Sequence, residues 1–198
     1  MDPDIHVRRA GVLDATALCE LSLRAIRGSA PAHYDPAQVE AWAGLRTVEG
    51  HAWMTLHTVV LVAEVDGVMA GFCSVAVEPV GDLQAGEVDQ LFVAPEHGGR
   101  GVARQLLDAV AARARAAGLT GLCTHASWRA VPAFEWAGFR REEVEVVDLD
   151  GVSLTRVRMT ARLESGPVGC PTLPPLAGES DQRTRGRSGA GRGRSTRC

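Results

Sequence analysis

The sequence predicts an α/β (α+β) fold built on a mixed, mostly antiparallel sheet of six to seven strands. Two hairpins account for the antiparallel part, because strand-like runs flank Asp66-Gly67 and Asp150-Gly151, dipeptides that suit the positive φ angles of tight turns. A strand, a helix and a second strand over residues 87–127 add a parallel pair through one right-handed crossover.

Seven segments have the composition and punctuation of strands: Ile5–Arg9, Val59–Val65, Val68–Val77, Glu87–Val93, Leu119–Ser127, Phe139–Leu149 and Val152–Leu163. Three further segments show helical patterns: a helix from an N-cap at Asp14 to about Gly28, a long helix from Val102 to about Ala117, and a short one from Val131 to Ala137. Residues 29–57 carry only a weak helical stretch, Pro36–Ala43, and are predicted to form a mobile, partly helical insertion that covers the substrate.

Length and charge indicate one folded domain, residues 1–163, followed by a disordered tail, residues 164–198. The chain has 198 residues, and all 21 of its basic residues are Arg. The tail holds six of them against three acidic residues and is rich in Gly, Pro and Ser, so the formal charge of −3 divides into +3 for the tail and −6 for the domain. The tail is similar to Arg/Gly segments that bind nucleic-acid phosphates. An unselected extension of an Arg-only chain explains it better, so no nucleic-acid partner is expected.

The compartment and metal content follow from what the sequence lacks. Neither a secretory signal pattern nor a membrane-length apolar stretch is visible, and the five cysteines form no C-x-x-C pair. We therefore expect a cytoplasmic protein with no membrane partner, no disulfide framework and no metal site.

The segment Gly98–Ala103 is the strongest local indication of a ligand. It joins a strand to a helix N-terminus, where free backbone N–H groups and the helix dipole favour an anion, and its glycines allow a ligand to approach the main chain. The nucleotide fingerprints G-x-x-x-x-G-K-[ST] and G-x-G-x-x-G do not fit, and a chain without Lys has no P-loop lysine. A glycine-rich turn without a ligand is the alternative.

These residues and the order of elements resemble the GNAT (Gcn-five-related N-acetyltransferase) superfamily, from Ile5 to about Leu163. The family's motif Q/R-x-x-G-x-G/A is filled by Gly98–Ala103 except at its first position, where Gly98 replaces Gln or Arg. The resemblance implies helices on both faces of the sheet and a central parallel strand pair.

A second match lies downstream, where the family commonly has N-x-x-A-x-x-x-Y-x-x-x-G-F. Here Ser127 stands for the Asn that touches the cofactor, and Phe134 stands for the Tyr that protonates the leaving thiolate. The chain also resembles a bacterial branch with an early HY-x-P-x-Q-x-x-A-W and a late AS-x-x-A-x-P-x-F segment, in which this Ser and Phe are normal.

The resemblance implies acetyl-CoA as the acetyl donor. Its pyrophosphate would be held by the amides of Gly98, Gly99, Arg100, Gly101, Val102 and Ala103, and its pantetheine arm would lie along Leu91, Phe92 and Val93 as an added strand. Arg100 and Arg104 are candidates for phosphate pairing, or are solvated surface residues.

Amine acetylation needs a base, and Glu87 and Asp89 are the leading candidates, two residues apart on one strand. Glu87 is the first choice because it matches the catalytic glutamate of the histone-acetylating members. Solvated carboxylates near a strand start are the alternative.

Four residues are candidates on the acceptor side. Tyr34, the one tyrosine in the chain, or His33 could supply a proton or position the acceptor; His125, at the end of a parallel strand, could assist proton transfer; and Trp42 could shape an apolar pocket. Packing roles explain each of them as well.

The predicted function is an acetyl-CoA-dependent N-acetyltransferase that uses direct attack by a primary amine of a small molecule or peptide. The alternative is a non-catalytic acyl-CoA-binding or sensing domain, which the replacements at Gly98 and Phe134 keep open. The last strands could also pair across a homodimer.

Overall fold

The computed structural model describes residues 4–163, which contain seven strands and five α-helices. The strands are β1 Ile5–Arg9, β2 Val59–Val65, β3 Val68–Val75, β4 Glu87–Val93, β5 Gly121–Ala126, β6 Arg140–Leu149 and β7 Val152–Arg162. The helices are α1 Ala15–Ser29, α2 Pro36–Gly44, α3 Val48–His57, α4 Val102–Ala116 and α5 Val131–Trp136. One sheet contains all seven strands in the order β1-β2-β3-β4-β5-β7-β6, and β4 and β5 form its one parallel pair. The predicted fold class is confirmed.

Both predicted hairpins are present, and their turns show why the sequence revealed them. Asp66 and Gly67 have φ angles of 53° and 75°, and Asp150 and Gly151 have φ angles of 52° and 86°. Asp and Gly tolerate this left-handed region better than other residues, so local chemistry fixes both turns.

Helices cover both faces of the sheet, and each face has its own apolar core. On one face α4 packs Leu106 and Val110 against the sheet. On the other face α1, α2 and α3 pack against the residues of β2 and β3 that point the opposite way, including Val60 and Phe72. The alternation of buried residues along each strand supplies both cores.

The helical stretch predicted at Pro36–Ala43 is confirmed as α2, but residues 29–57 also contain α3, so more of this segment is helical and packed than the sequence predicts. Thr47 caps α3 by accepting a hydrogen bond from the amide of Gly50 at 3.0 Å. The face that α3 buries carries His51, Met54 and Thr55, whereas Trp53 and Leu56 are exposed. Its apolar residues therefore form no single stripe, and a helical period cannot be detected in this segment.

Asp14 occupies the N-cap of α1 as predicted, but its carboxylate does not cap the helix. It accepts hydrogen bonds from the amide of Gly11 and from the guanidinium of Arg8, both at 2.9 Å or less. A short 3-10 helix, Val12–Asp14, precedes α1 and turns the carboxylate back toward β1.

The predicted tail, residues 164–198, lies outside the described residues. Within residues 4–163, no helix combines the length and the apolar character that crossing a bilayer would need.

Candidate active site

The site begins where the sheet divides between β4 and β5. These strands pair only at Glu87 with Cys123 and at Val88 with Thr124. Beyond Val88, β4 stays paired with β3 as far as Val93. Its other edge has no strand partner there among the described residues. A cavity of about 540 Å³ lies in this division.

A β-bulge shapes the wall that β4 gives to the cavity. Ser74 pairs with Gln90 and Val75 pairs with Val88, so Asp89 is the extra residue. A bulge of this kind redirects side chains, and both Asp89 and Gln90 line the cavity.

The glycine loop, residues 98–103, contributes to the cavity lining. Gly99 and Gly101 have φ angles of 74° and 83°, and Gly101 is the N-cap of α4 with no side chain bonded to the first-turn amides. Amides at the start of a fifteen-residue helix and a positive helix end suit an anion such as a pyrophosphate. The structure therefore fits the phosphate cradle that the sequence predicts.

Eleven of the twelve predicted cofactor-binding residues line this one cavity: Leu91, Phe92, Val93, Gly98, Gly99, Gly101, Val102, Ala103, Arg104, Ser127 and Phe134. We call them the donor side. Arg100 is the exception, since it is exposed and its Nη1 lies 3.1 Å from Nδ1 of His97. The guanidinium of Arg104 lies 4.2 Å from the ring centre of Trp136, so the two side chains stack at the cavity wall.

A second part of the cavity lining comes from helices α1 and α2, the residues after α2, and strands β6 and β7. We call it the acceptor side and define it by Trp42, Leu45, Arg46, Val147, Leu149, Leu154 and Arg156. It is mostly apolar, with two guanidinium groups.

A chain of ionisable groups reaches the cavity from β4, β5, β6 and β7. Nδ1 of His125 lies 2.8 Å from Oε2 of Glu145, and Nε of Arg156 donates to the same oxygen at 2.8 Å. Nε2 of His125 lies 3.8 Å from Oε1 of Glu87. Burial alone would raise the pKa of Glu145, but the hydrogen bonds from His125 and Arg156 hold it below its ordinary value.

The two predicted carboxylates therefore differ in their surroundings. Asp89 is exposed and lines the cavity directly. Glu87 is 8 % exposed, its second oxygen accepts from the amide of Gln84 at 3.1 Å, and it meets the cavity through His125.

Tyr34 lies outside the cavity lining, and its hydroxyl both accepts and donates a hydrogen bond within the protein. The oxygen accepts from the amide of Trp128 at 3.0 Å, and the hydroxyl donates to the carbonyl of Thr155 at 2.9 Å. Burial raises the pKa of Tyr34. These contacts tie the segment before α2 to the β5–α5 loop and to β7.

Of the other predicted acceptor residues, one lines the cavity and one does not. Trp42 lines it, and its ring centre lies 5.9 Å from that of Tyr34, edge-on, and 6.0 Å from that of Phe92, at a tilt. His33 is exposed and lies outside the lining. On the donor side, Phe134 is buried, and its ring packs edge-on to that of Phe139 with the ring centres 5.0 Å apart.

Sequence reasoning missed Arg46, Gln90, Glu145 and Arg156. The partner of His125 is two strands away, because β7 lies between β5 and β6. A polar residue within a strand of charged residues, such as Glu145 in β6, gives no local signal of such a contact. Arg46 follows a short helix and resembles any surface Arg in sequence.

A family model described as an acetyltransferase (GNAT) domain matches residues 31–161. This chain belongs to the GNAT acetyltransferase family. It is also similar to an uncharacterized N-acetyltransferase, YafP of Escherichia coli K12, with 30 % identity over 165 residues that cover 79 % of this chain and 95 % of the relative.

This GNAT acetyltransferase is also similar to solved structures. A GCN5-related N-acetyltransferase from Rhodopseudomonas palustris is 27 % identical, with a TM-score of 0.72 over 82 % of this chain and 97 % of that one. The PaiA N-acetyltransferase of Thermoplasma acidophilum, solved with coenzyme A, is 16 % identical and shares the fold, with a TM-score of 0.65 over 80 % of this chain and 99 % of that one.

Proposed function

We propose that this GNAT acetyltransferase moves the acetyl group of acetyl-CoA to a primary amine of a small molecule or peptide by direct attack. The observation that carries the proposal is one cavity that joins the glycine loop at the start of α4 to the His125–Glu145 contact. Acetyl-CoA supplies the thioester that the amine attacks.

On the donor side, the amides of residues 98–103 would hold the pyrophosphate, and the free edge of β4 at residues 91–93 offers main-chain groups to an extended amide chain. Arg104, stacked on Trp136, adds a positive charge at the same wall. Ser127 and Phe134 complete this side.

On the acceptor side, an ammonium must lose a proton before its nitrogen can attack. We assign that proton to Nε2 of His125, because the carboxylate of Glu145 accepts only and so keeps the ring proton on Nδ1. The resulting imidazolium would lie between the carboxylates of Glu145 and Glu87. Direct proton transfer to Asp89 is the competing assignment.

The test uses the full-length chain with acetyl-CoA and a panel of primary amines. We expect amine-dependent release of CoA and the addition of one acetyl group to the amine by mass spectrometry. Binding of acetyl-CoA without amine-dependent CoA release would contradict the proposal and favour the acyl-CoA-binding alternative.

Substitutions then assign the base. We expect His125→Gln to lower kcat/KM by roughly 10²–10⁴-fold, the usual contribution of a general base. If Asp89→Asn causes that loss and His125→Gln does not, Asp89 is the base.

A further inference from the structure

Two buried polar atoms in the cavity wall have no hydrogen-bond partner among residues 4–163. They are Nε of Arg46, a donor, and Oε1 of Gln90, an acceptor. Both residues line the cavity. Buried polar groups are nearly always paired in folded proteins, and an unpaired one costs about 1–3 kcal/mol, so the protein alone leaves this part of the cavity wall incompletely satisfied.

Arg46 carries a charge that its surroundings do not neutralise by contact. No carboxylate of the described residues lies within ion-pair distance of its guanidinium. Burial lowers the pKa of Arg46, and the charge of Asp89 opposes that effect without restoring the ordinary value. An oxyanion in the cavity would neutralise the charge of Arg46.

Arg156 does not compete for this role. Its Nε is held by Glu145 at 2.8 Å, in the group that orients His125. The acceptor side therefore offers Arg46 as the guanidinium without a protein partner in the described part of the chain.

Asp89 supplies the opposite charge in the same cavity. Its carboxylate is exposed on the bulge of β4 and can accept the hydrogens of an ammonium. Trp42, Leu45 and Leu154 add apolar surface to the same side.

We propose that the acceptor is a small amino acid-like primary amine with an apolar side chain, whose oxyanion binds Arg46 and whose amine lies at Asp89. This inference rests on the proposed function, since it names the acceptor of that same site. The oxyanion is a carboxylate or a phosphonate, since both present the geometry that a guanidinium recognises.

The first experiment compares acceptors that differ in one group. The full-length chain is assayed with L-leucine, L-leucinamide, isoamylamine and the aminophosphonate analogue of leucine. We expect kcat/KM to be at least about tenfold higher for L-leucine or the phosphonate than for L-leucinamide and isoamylamine, which corresponds to about 1.4 kcal/mol. Preference between the two anionic acceptors identifies the oxyanion. Equal or better turnover of the neutral pair overturns the inference and leaves the proposed acetyl transfer intact.

The second experiment assigns the preference to Arg46. In Arg46→Gln the ratio of kcat/KM for L-leucine to that for L-leucinamide should fall to about one while KM for acetyl-CoA stays constant, and Arg46→Lys should keep part of the ratio. Arg27→Gln is the control, because Arg27 is an exposed Arg of α1 that pairs with Glu40 at 3.0 Å. A ratio that Arg46→Gln leaves unchanged overturns the inference.

A binding measurement separates this inference from catalysis. Calorimetry in the presence of CoA should detect binding of L-leucine or its phosphonate to the wild-type chain and to Arg27→Gln, and not to Arg46→Gln. Such binding without turnover would contradict the proposed function and support the binding site. Absence of both binding and turnover for the anionic acceptors overturns the inference, whether or not other amines are acetylated.

Discussion

Nδ1 of His125 lies 2.8 Å from Oε2 of Glu145, across the strand that separates them in the sheet. His125 pairs with Arg158 of β7, and Glu145 pairs with Arg156 two residues earlier on the same strand. The contact is therefore a diagonal over β7. It holds one tautomer of the imidazole and leaves Nε2 on the side of Glu87.

Glu145→Gln should lower kcat/KM for CoA release. The carboxylate of Glu145 only accepts and keeps the ring proton of His125 on Nδ1, whereas the amide of Gln can also donate and no longer selects that tautomer. The measurement is kcat/KM for CoA release by the full-length chain with a reactive amine.

Glu143→Gln is the matched control, since Glu143 is an exposed residue of the same strand, 3.7 Å from Arg158. Its kcat/KM should match that of the wild-type chain. An unchanged kcat/KM in Glu145→Gln would argue against proton transfer through His125.

Gly101→Ala and Gly118→Ala separate ligand binding from backbone strain. The two glycines lie at opposite ends of α4 and have φ angles of 83° and 79°. A left-handed conformation costs an Ala residue roughly 1–2 kcal/mol, so both variants should lose similar stability in urea unfolding. We expect KM for acetyl-CoA to rise only in Gly101→Ala, because Gly118 lies outside the cavity lining. An equal rise in both variants would show that strain, and not the loop, affects donor binding.

Tyr34→Phe should destabilise the fold without abolishing turnover. The change leaves the amide of Trp128 and the carbonyl of Thr155 without their hydroxyl partner, a loss of about 1–3 kcal/mol. Thermal and urea unfolding measure the loss, and kcat of the folded variant should stay within a few-fold of wild type. Full stability together with a collapse of kcat would instead indicate the proton-donating role that the sequence suggests for Tyr34.

Features set by neighbouring residues could be predicted from the sequence. The Asp-Gly hairpins and the glycine loop depend on local φ preferences, and six of the eleven donor-side residues lie around the start of α4. The acceptor side depends on strand order and on which residues a helix buries. Helix α3 buries His51 and exposes Trp53, and the contact between His125 and Glu145 crosses a strand, so neither feature has a pattern that a local reading can detect.

Asp14→Asn should lower stability at neutral pH and have little effect in acid. The hydrogen bonds from Arg8 hold the pKa of Asp14 below its ordinary value, although burial opposes this. Because the folded-state pKa is depressed, the stabilisation is complete above the ordinary Asp range and disappears as pH falls through the lower value. We expect a loss of about 1 kcal/mol at pH 7 that shrinks toward about pH 2, measured by urea unfolding at each pH.

Glu40→Gln serves as the control for this prediction, because Glu40 pairs with Arg27 on the exposed surface. A much smaller change is expected there, since exposed ion pairs contribute little. A loss in Asp14→Asn that is the same at every pH would show that packing, and not charge, is responsible.

A co-substrate bound in the division between β4 and β5 would make the stability of this protein depend on the co-substrate concentration. Strands β1–β4 and β5–β7 share little backbone hydrogen bonding at that seam, and the free edge of β4 borders the cavity. A molecule that binds only the folded chain raises its unfolding free energy by RT ln(1 + [L]/Kd), about 2.7 kcal/mol at one hundred times Kd. In a cell, the acetyl-CoA level would then govern how long each copy of the enzyme survives as well as how fast it works.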